Sequence, residues 1–286
     1  MQCGKLYLVA TPIGNLEDIS YRALNTLKSV ELIACEDTRH SLKLLNHFDI
    51  QKPLTSYFEH NKKEKGEYLI SVLKEGKDVA LVTDAGTPAI SDPGEDLVKL
   101  CIGEGITVVP IPGAAALINA LIISGQNTGR FCFEGFLSVN KKSRNEHLEE
   151  LKNEKRTMIF HEAPHKLVRT LADMYQFFGN RSISIVRELT KLHEECVFTN
   201  LESALNYYEH TNPKGEYVLV VAGKSKEEET KEKEEVFEMI SILAHVNTFV
   251  EKGFSKKEAI KEVAKLRGLS RRDVYNEYEK SLTEEE

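Results

Sequence analysis

A loop with two glycines and two prolines, residues 84–94, is the part of this chain best suited to binding a ligand. It follows an apolar run, residues 78–83, which predicts a buried parallel strand. Residues 95–101 then have helical spacing, with carboxylates in the first turn, where the helix dipole favours them. Because glycine has no side chain, such a backbone can approach a ligand at the carboxyl edge of an open α/β sheet. The alternative is a strand-to-helix turn that binds nothing.

Strands that alternate with helices must position this loop. Up to about residue 125 the pattern predicts βαβ units and a mainly parallel sheet. Turn-forming residues at 126–129 precede a second block of alternating strands and helices. We therefore predict an α/β fold with two α/β domains, residues 1–125 and 126–224, followed by a charged linker and a helix-turn-helix-like module, residues 225–286.

The last segment combines helix caps with basic residues. Ser255 and Glu258 have the spacing of a capping box, Ser270 and Asp273 repeat it, and Gly268 lies between them. From residue 252 to residue 272 there are eight Lys or Arg and two Glu, a local balance of +6. This excess predicts a surface that faces phosphates on an otherwise acidic protein. A solvated helical cap is the alternative.

Composition limits the class of protein. The 286 residues are 41% hydrophobic and 29% charged, with a net charge of −7, which is typical of a globular protein and argues against a generally basic nucleic-acid coat. The five cysteines form no CxxC pair and have no metal-ligand spacing, so we expect reduced thiols, a cytoplasmic location and no metal site. No apolar run approaches about 18 residues and the start lacks a signal-peptide pattern, so we expect no membrane span.

Eight segments, taken in order, resemble the tetrapyrrole methylase superfamily, the class III S-adenosylmethionine-dependent methyltransferases. They are ATPIGNLEDISYRAL (10–24), EDTR (36–39), DAGTPAISDPG (84–94), IPGAAA (111–116), FEGFL (133–137), HEAPHKL (161–167), RELTKLHEE (187–195) and GEYVLVV (215–221). The resemblance implies a homodimer in which S-adenosylmethionine is folded into a cleft between the two α/β domains. Within the superfamily it points to the branch that methylates the ribose 2′-hydroxyl of a cytidine in small-subunit ribosomal RNA, as naked RNA or, as we expect, in the assembled subunit.

Two departures from the precorrin-type members support that branch. Residues 12–15 read Pro-Ile-Gly-Asn where those members have Gly-Pro-Gly-Asp, and residues 86–88 read Gly-Thr-Pro where they have Gly-Asp-Pro. Both departures argue against a tetrapyrrole substrate. A small-molecule tetrapyrrole methylase is nevertheless one alternative, and a non-catalytic RNA-binding or assembly factor is another.

The resemblance also implies site residues. Backbone groups on small-residue loops can meet the polar parts of the cofactor. The expected cofactor-binding residues are Asp84, Ala85, Gly86, Thr87, Pro88, Ile90, Ser91, Gly113, Ala114 and Ala115 on one side, with Phe160 and Ala222 on the other. The expected substrate-binding residues are Pro12, Gly14, Asn15, His60, Asn61, Lys142 and Arg144.

A ribose hydroxyl is a poor acid, so a base that accepts its proton would help the reaction. Glu36, Asp37 and Arg39 follow the second predicted strand at its carboxyl end and are the candidate catalytic residues. One carboxylate would orient or deprotonate the hydroxyl, while Arg39 binds a phosphate bidentately. The alternative is a structural pair between Arg39 and one of the carboxylates, which would fix the loop.

Overall fold

A computed structural model describes residues 3–284, with the backbone alone described for 232–236, 238 and 282–284. The first of its two sheets is parallel throughout. The strands of this sheet are β1 (Leu6–Val9), β2 (Leu32–Cys35), β3 (Leu54–Ser56), β4 (Val79–Leu81) and β5 (Val108–Ile111). Their order is β3-β2-β4-β1-β5, and all four neighbouring pairs are parallel. The carboxyl ends of all five strands therefore meet at one edge.

Helices cover both faces of the first sheet. They are α1 (Tyr21–Ser29), α2 (Thr38–His47), α3 (Lys62–Lys74) and α4 (Gly94–Gly103), with α5 (Ala116–Ile123) after β5. Successive strand residues belong to two separate hydrophobic clusters: Ile33 packs in one and Ala34 in the other. A sheet buried on both faces needs near-continuous apolar strands, and this explains the sequence pattern.

The second sheet is mixed. Its strands are β6 (Phe131–Phe136), β7 (Thr157–Glu162), β8 (Ser182–Arg187), β9 (Glu195–Asn200) and β10 (Tyr217–Val221), in the order β6-β7-β10-β8-β9. Only β6 and β7 are parallel, and β10 is antiparallel to both of its neighbours. The start of β10 therefore lies beside the end of β7.

Helices also pack against the second sheet. Its own helices are α6 (Lys141–Leu151), α7 (Leu167–Phe178) and α8 (Leu201–Glu209). Helix α5 adds Leu117, Ala120 and Leu121 to a cluster with Ile159 and Val220. Helix α5 thus connects the two α/β halves, and residues 1–223 form one compact unit.

The second compact unit, residues 224–286, is helical in its described part. It contains α9 (Lys226–Met239), α10 (Ile242–Glu251), α11 (Lys256–Arg267) and α12 (Arg271–Glu284). The predicted capping box between Ser255 and Glu258 is formed, and Gly268 ends α11 in the left-handed conformation. Two α/β halves and a helical unit confirm the predicted fold class. Within residues 3–284, no helix is both long and apolar enough to cross a membrane.

Candidate active site

A large cavity of about 1210 Å³ lies at the carboxyl edge of the first sheet. The first α/β half contributes the loops after β2 and β4, including Glu36, Asp84 and Ser91. The second half contributes residues at the end of β7, such as His161, and at the start of β10, such as Glu216. The volume suits a small organic ligand, and the position is where α/β folds bind ligands.

The wall formed by loop 84–94 is held in a strained shape. Ala89 and Ser91 have φ angles of 68° and 62°, which non-glycine residues rarely adopt. The Asp92 carboxylate accepts hydrogen bonds from the backbone N–H groups of Ala89, at 3.0 Å, and Gly94, at 2.7 Å. These bonds fix the loop, so its shape is set before a ligand binds.

Backbone contacts join this loop to its neighbours. Gly86, at φ 85°, exchanges backbone hydrogen bonds of 2.9 and 3.1 Å with Thr11, which follows β1. The Thr87 hydroxyl donates to the carbonyl of Ala114 at 2.9 Å. The two loops predicted to bind the cofactor are therefore in direct contact.

A loop of the second half closes against the loop after β1. A Cβ atom on Gly14 would lie 2.3 Å from Cγ of Lys191, so only glycine fits there. Lys191 Nζ lies 2.9 Å from the Glu188 carboxylate and 2.8 Å from that of Glu216. The Glu188 carboxylate also accepts the Glu216 N–H at 2.9 Å. These bonds hold the start of β10 against the cavity.

The large cavity is strongly acidic. Eight carboxylates and one lysine line it, a formal charge of −7 with histidine neutral; they are Glu36, Glu59, Asp84, Asp92, Glu95, Asp96, Glu162, Glu216 and Lys62. Burial, followed by the charges of Asp84 and Asp92, raises the pKa of Glu36. Such a field favours a cationic ligand and disfavours a phosphate.

His161 adds an unsatisfied polar group beside this cavity. Its ring packs edge-on against Phe133 and Phe136, with centroids 4.9 and 5.4 Å away. Its Nε2 is buried and has no hydrogen-bond partner within residues 3–284. Burial lowers the pKa of His161 and so favours the neutral ring. A buried polar atom of this kind is one that a bound ligand can satisfy.

A small cavity of about 600 Å³ adjoins the large one, and both are lined by Ile13, Asp84, Ala85 and Glu216. One face of α2 forms its opposite wall, with His40, Lys43, Leu44 and His47. Lys43 and Lys191 balance the two shared carboxylates, so this cavity is formally neutral. Two adjoining compartments of different charge suit the transfer of a group between two ligands.

The three predicted catalytic residues separate in the structure. Glu36 lines the large cavity. Asp37 instead binds Arg39 bidentately, at 3.2 and 3.0 Å, and caps α2 through the Arg39 N–H at 2.8 Å. These bonds lower the pKa of Asp37 to about 2. Neither Asp37 nor Arg39 lines either cavity, and their ion pair is the one that the structural alternative describes.

Of the predicted cofactor residues, Asp84, Ala85, Ile90 and Ser91 line the large cavity. Gly86, Thr87, Pro88 and residues 113–115 form the backbone of the loops around it. Two predicted residues of the second half, Phe160 and Ala222, do not line the cavity. The Phe160 side chain is fully buried in the core of the second half, because alternation along β7 turns His161 toward the cavity instead.

Ala222 lies at the opposite end of the second sheet. Because β10 is antiparallel to β7, its last residue, Val221, pairs with Met158 at the start of β7. The five residues of β10 span about 16 Å at 3.3 Å each, which puts Ala222 far from the cavity. Residues 216–218, at the start of β10, line the cavity in its place.

The predicted substrate residues also divide. Pro12 and Gly14 line the small cavity. Asn15 caps a short 3-10 helix by accepting the Glu17 N–H at 3.1 Å, and Asn61 accepts the Phe58 N–H at 2.8 Å, so both amides hold turns. His60 and Lys142 are exposed and line neither cavity.

Arg144 contradicts the prediction. Its side chain is only 3% exposed and its Nε lies 2.6 Å from the Asp173 carboxylate. The same guanidinium donates to the carbonyls of Ser138 and Val139 at 3.0 and 3.2 Å. The guanidinium therefore holds the β6–α6 loop and is not available to RNA.

Sequence reasoning missed several lining residues. Lys43 and His47 lie three and seven residues after His40, a spacing that puts all three on one face of α2 and could have been recognised. Glu216 and Tyr217 could not have been found in this way, because their position depends on the direction of β10.

Comparisons with known proteins agree with this architecture. A family model described as Tetrapyrrole (Corrin/Porphyrin) Methylases matches residues 5–205. "Ribosomal RNA small subunit methyltransferase I" of Halalkalibacterium halodurans is 54% identical over 276 residues, 96% of this chain and 94% of that protein. The protein of the same name from Thermotoga maritima is 48% identical over 221 residues, 77% of this chain and 99% of that protein, so it is about as long as the first compact unit.

Among solved structures, uroporphyrin-III C-methyltransferase from Thermus thermophilus, complexed with S-adenyl homocysteine, has a TM-score of 0.55. It is 16% identical, and the match covers 77% of this chain and 97% of that chain. This likeness confirms the predicted fold. The family match over most of the sequence and the high identity to curated relatives together show that the chain belongs to the tetrapyrrole (corrin/porphyrin) methylase family.

Proposed function

We propose that this chain is an S-adenosylmethionine-dependent methyltransferase that methylates the ribose 2′-hydroxyl of a cytidine in small-subunit ribosomal RNA, in the cytoplasm. The substrate assignment rests on the sequence identity to relatives named ribosomal RNA small subunit methyltransferase I. The adjoining acidic and neutral cavities support a reaction between a cationic donor and a polyanionic acceptor.

The large cavity fits the cofactor. It is large enough, its carboxylates suit a positive ligand, and the fixed loop 84–94 presents its backbone. When bound, S-adenosylmethionine supplies a methyl group on a positively charged sulfur, which leaves as a neutral thioether. Asp84, Ile90, Ser91 and His161 are the residues that would hold it. Binding in this preformed pocket limits the entropy lost when the reactants are aligned.

Glu36 would act as the general base. Its carboxylate lines the large cavity, and its raised pKa makes it a better proton acceptor than an ordinary glutamate. In this proposal it would take the proton of a ribose hydroxyl held at the boundary with the small cavity. Asp84, which lines both cavities, would help to keep the two ligands in line.

The small cavity would take the acceptor nucleotide. Lys43 is exposed and makes no ion pair in the described part of the chain, so its ammonium group is available to a phosphate. Leu16 and Leu44 offer apolar surface to the sugar or base. The acidic field of the large cavity would repel the RNA backbone and keep it on the α2 side.

Asp92 gives a test of the preformed loop. Replacing Asp92 with Ala should weaken S-adenosylhomocysteine binding at least about tenfold, because the Ala89 and Gly94 N–H groups lose the acceptor that fixes the loop with its strained φ angles at Ala89 and Ser91. Hydrogen bonds to a charged acceptor contribute about 1.5–3 kcal/mol, so the unfolding free energy should also fall by about that amount. Calorimetric titration and urea unfolding measure the two effects.

The control is Glu95→Ala, which removes a cavity carboxylate that pairs with Lys99 on the surface and leaves the loop hydrogen bonds intact. If Asp92→Ala and Glu95→Ala weaken binding equally, charge alone matters and the loop need not be preformed.

A homodimer is part of the proposal. Ile122 of α5 is 64% exposed and Phe198 of the edge strand β9 is 63% exposed. The two side chains belong to the same region of the surface. Gly125 lies two residues after the end of α5, and a Cβ atom on it would touch the Phe198 ring. A second copy of the chain would cover this apolar surface and the free edge of β9.

Charge at this surface should dissociate the dimer. The double variant Ile122→Asp/Phe198→Asp is expected to sediment as a monomer, whereas Ile102→Asp, at an exposed isoleucine of α4, should sediment like the wild type. Analytical ultracentrifugation distinguishes the two. A double variant that is still dimeric would place the interface elsewhere.

The proposed function is tested by methyl transfer from labelled S-adenosylmethionine to small subunits isolated from cells that lack the protein, and to RNA extracted from them. We expect a single methylated ribose on the assembled subunit and less transfer to the extracted RNA. Methylation of a precorrin in place of RNA would indicate the tetrapyrrole alternative. Failure to bind S-adenosylmethionine would indicate a non-catalytic RNA-binding or assembly factor.

A further inference from the structure

We infer that the second compact unit carries a docking groove for the phosphate backbone of RNA, formed by the first two turns of α11 and of α12. The inference rests on the proposed function, because that function supplies the RNA. The groove has a volume of about 800 Å³ and is lined by Lys256, Lys257, Glu258, Ile260, Lys261, Arg271, Arg272 and Tyr275.

Five of the eight basic residues counted between 252 and 272 line the groove. Of the other three, Arg267 donates to His245 Nδ1 at 3.1 Å and to the Ile240 carbonyl at 2.5 Å, so it holds the start of α10. Lys252 lies over the Phe249 ring, 5.5 Å from its centroid, and Lys265 lies in the last turn of α11. The basic residues of the groove are therefore a distinct group.

Most of the positive charge in the groove is available to bind phosphate. Lys256 pairs with Glu279 at 2.6 Å, but Lys257, Lys261, Arg271 and Arg272 make no ion pair with any described residue. The single carboxylate of the groove, Glu258, is used in the capping box, where it accepts the Ser255 N–H at 3.0 Å. Five cations and one carboxylate give the groove a formal charge of +4 on a chain whose net charge is −7.

The side-chain types favour RNA over an acidic protein. Two adjacent arginines can each bind a phosphate bidentately, which lysine cannot do. Tyr275 is 49% exposed at the side of the groove and provides a face on which a base or sugar can stack. Arginine with a neighbouring aromatic ring is typical of surfaces that follow an RNA backbone without reading its sequence.

Such a groove would add affinity without taking part in the chemistry. A second binding module on the same chain raises the effective concentration of the RNA for the first module. The groove should therefore strengthen RNA binding and increase its salt dependence, with no effect on cofactor binding.

The test uses the full chain with the double variant Arg271→Glu/Arg272→Glu. Both positions lie in the first turn of α12, where glutamate is favoured by the helix dipole, so the variant is expected to fold. The charge-matched control is Lys252→Glu/Lys265→Glu, outside the groove. Fluorescence anisotropy with small-subunit ribosomal RNA at several salt concentrations gives the affinity and its salt slope, and calorimetry gives the affinity for S-adenosylhomocysteine.

We expect the groove variant to bind RNA at least about tenfold more weakly than the control. The slope of log K against log salt should be smaller by about 1.4–1.8, because each of two phosphates that the arginines no longer neutralise accounts for about 0.7–0.9. S-adenosylhomocysteine affinity should not change. Equal RNA affinity and salt slope for the groove variant and the control would contradict the proposal that the groove binds RNA. A groove variant that binds RNA like the control but binds an acidic polypeptide more weakly than the control would also contradict it. A wild-type chain that binds the cofactor but binds neither this RNA nor the assembled small subunit would overturn the proposed function itself.

Discussion

Replacing Glu36 with Gln should lower the turnover of methyl transfer by about 10²–10⁴-fold, the usual contribution of a general base. Glutamine keeps the size of the side chain and its place in the large cavity, but it cannot accept the proton of the ribose hydroxyl. Cofactor affinity should fall only slightly, because seven of the eight carboxylates that line the cavity are retained. Single-turnover kinetics with saturating donor and RNA measure the loss.

The matched control is Asp37→Asn at the next position. Asp37 faces Arg39 and caps α2, so its substitution should affect local stability more than chemistry. The catalytic assignment would be contradicted if Asp37→Asn lowered turnover as much as Glu36→Gln, or if Glu36→Gln were nearly as active as the wild type.

The pH dependence gives a second measure of the same residue. A general base must be deprotonated, so activity should fall as the pH drops through the pKa of Glu36, which burial and the charges of Asp84 and Asp92 hold above its ordinary value of 4.5. The bound donor is a cation, so it favours the charged carboxylate and lowers the pKa of Glu36. The kcat profile reports the enzyme with its donor bound, whereas the kcat/KM profile for the donor reports the enzyme without it. The acid limb of kcat should therefore lie at lower pH than the acid limb of kcat/KM. In Glu36→Gln this limb should be absent.

Replacing Arg144 with Met should lower the unfolding free energy by about 3 kcal/mol. Removing one partner of a buried ion pair costs about 3–5 kcal/mol, and the low end applies because the Asp173 side chain keeps 15% of its exposure to water. The variant also leaves the carbonyls of Ser138 and Val139 without their donor. Urea unfolding of the full chain measures the change.

Lys142→Met is the control for this substitution, since Lys142 is exposed on the same helix and should change stability very little. RNA affinity per folded molecule should not change in Arg144→Met. An Arg144→Met variant with unchanged stability and weakened RNA binding would restore Arg144 to the RNA-contacting surface.

The site was most predictable where the chemistry follows parallel strands. The loop after β4 and the charged residues after β2 lie at the same edge because every pair in the first sheet is parallel, and a βαβ pattern is visible in the sequence. The residues that the sequence could not place depend on the second sheet. There β10 runs against its neighbours, so the cavity meets Glu216 at its start and Ala222 lies at the far end.

Side-chain pairing was the second feature of the site that could not be predicted from the sequence. The sequence shows that Asp37 and Arg39 are close in the chain, but not that they bind each other and leave Glu36 to face the cavity. Arg144 has the same appearance in the sequence as Lys142, and only the position of Asp173 on α7 separates a buried residue from an exposed one.

Short edge strands are hard to recognise in the sequence for a related reason. Strand β3 has three half-buried residues, and β9 is at the edge of the second sheet with Phe198 exposed. Neither has the apolar run that marks a central strand, because each has a neighbour on only one side.

A crystal structure of the chain with S-adenosylhomocysteine tests the central claim most directly. That claim is that the two α/β halves enclose the methyl donor in the acidic cavity and leave the small cavity for a sugar hydroxyl. We predict the ligand between loop 84–94 and His161, with its sulfur toward the wall of Ile13 and Asp84 that the two cavities share. A ligand beside Ala222, or anywhere outside the large cavity, would contradict the account.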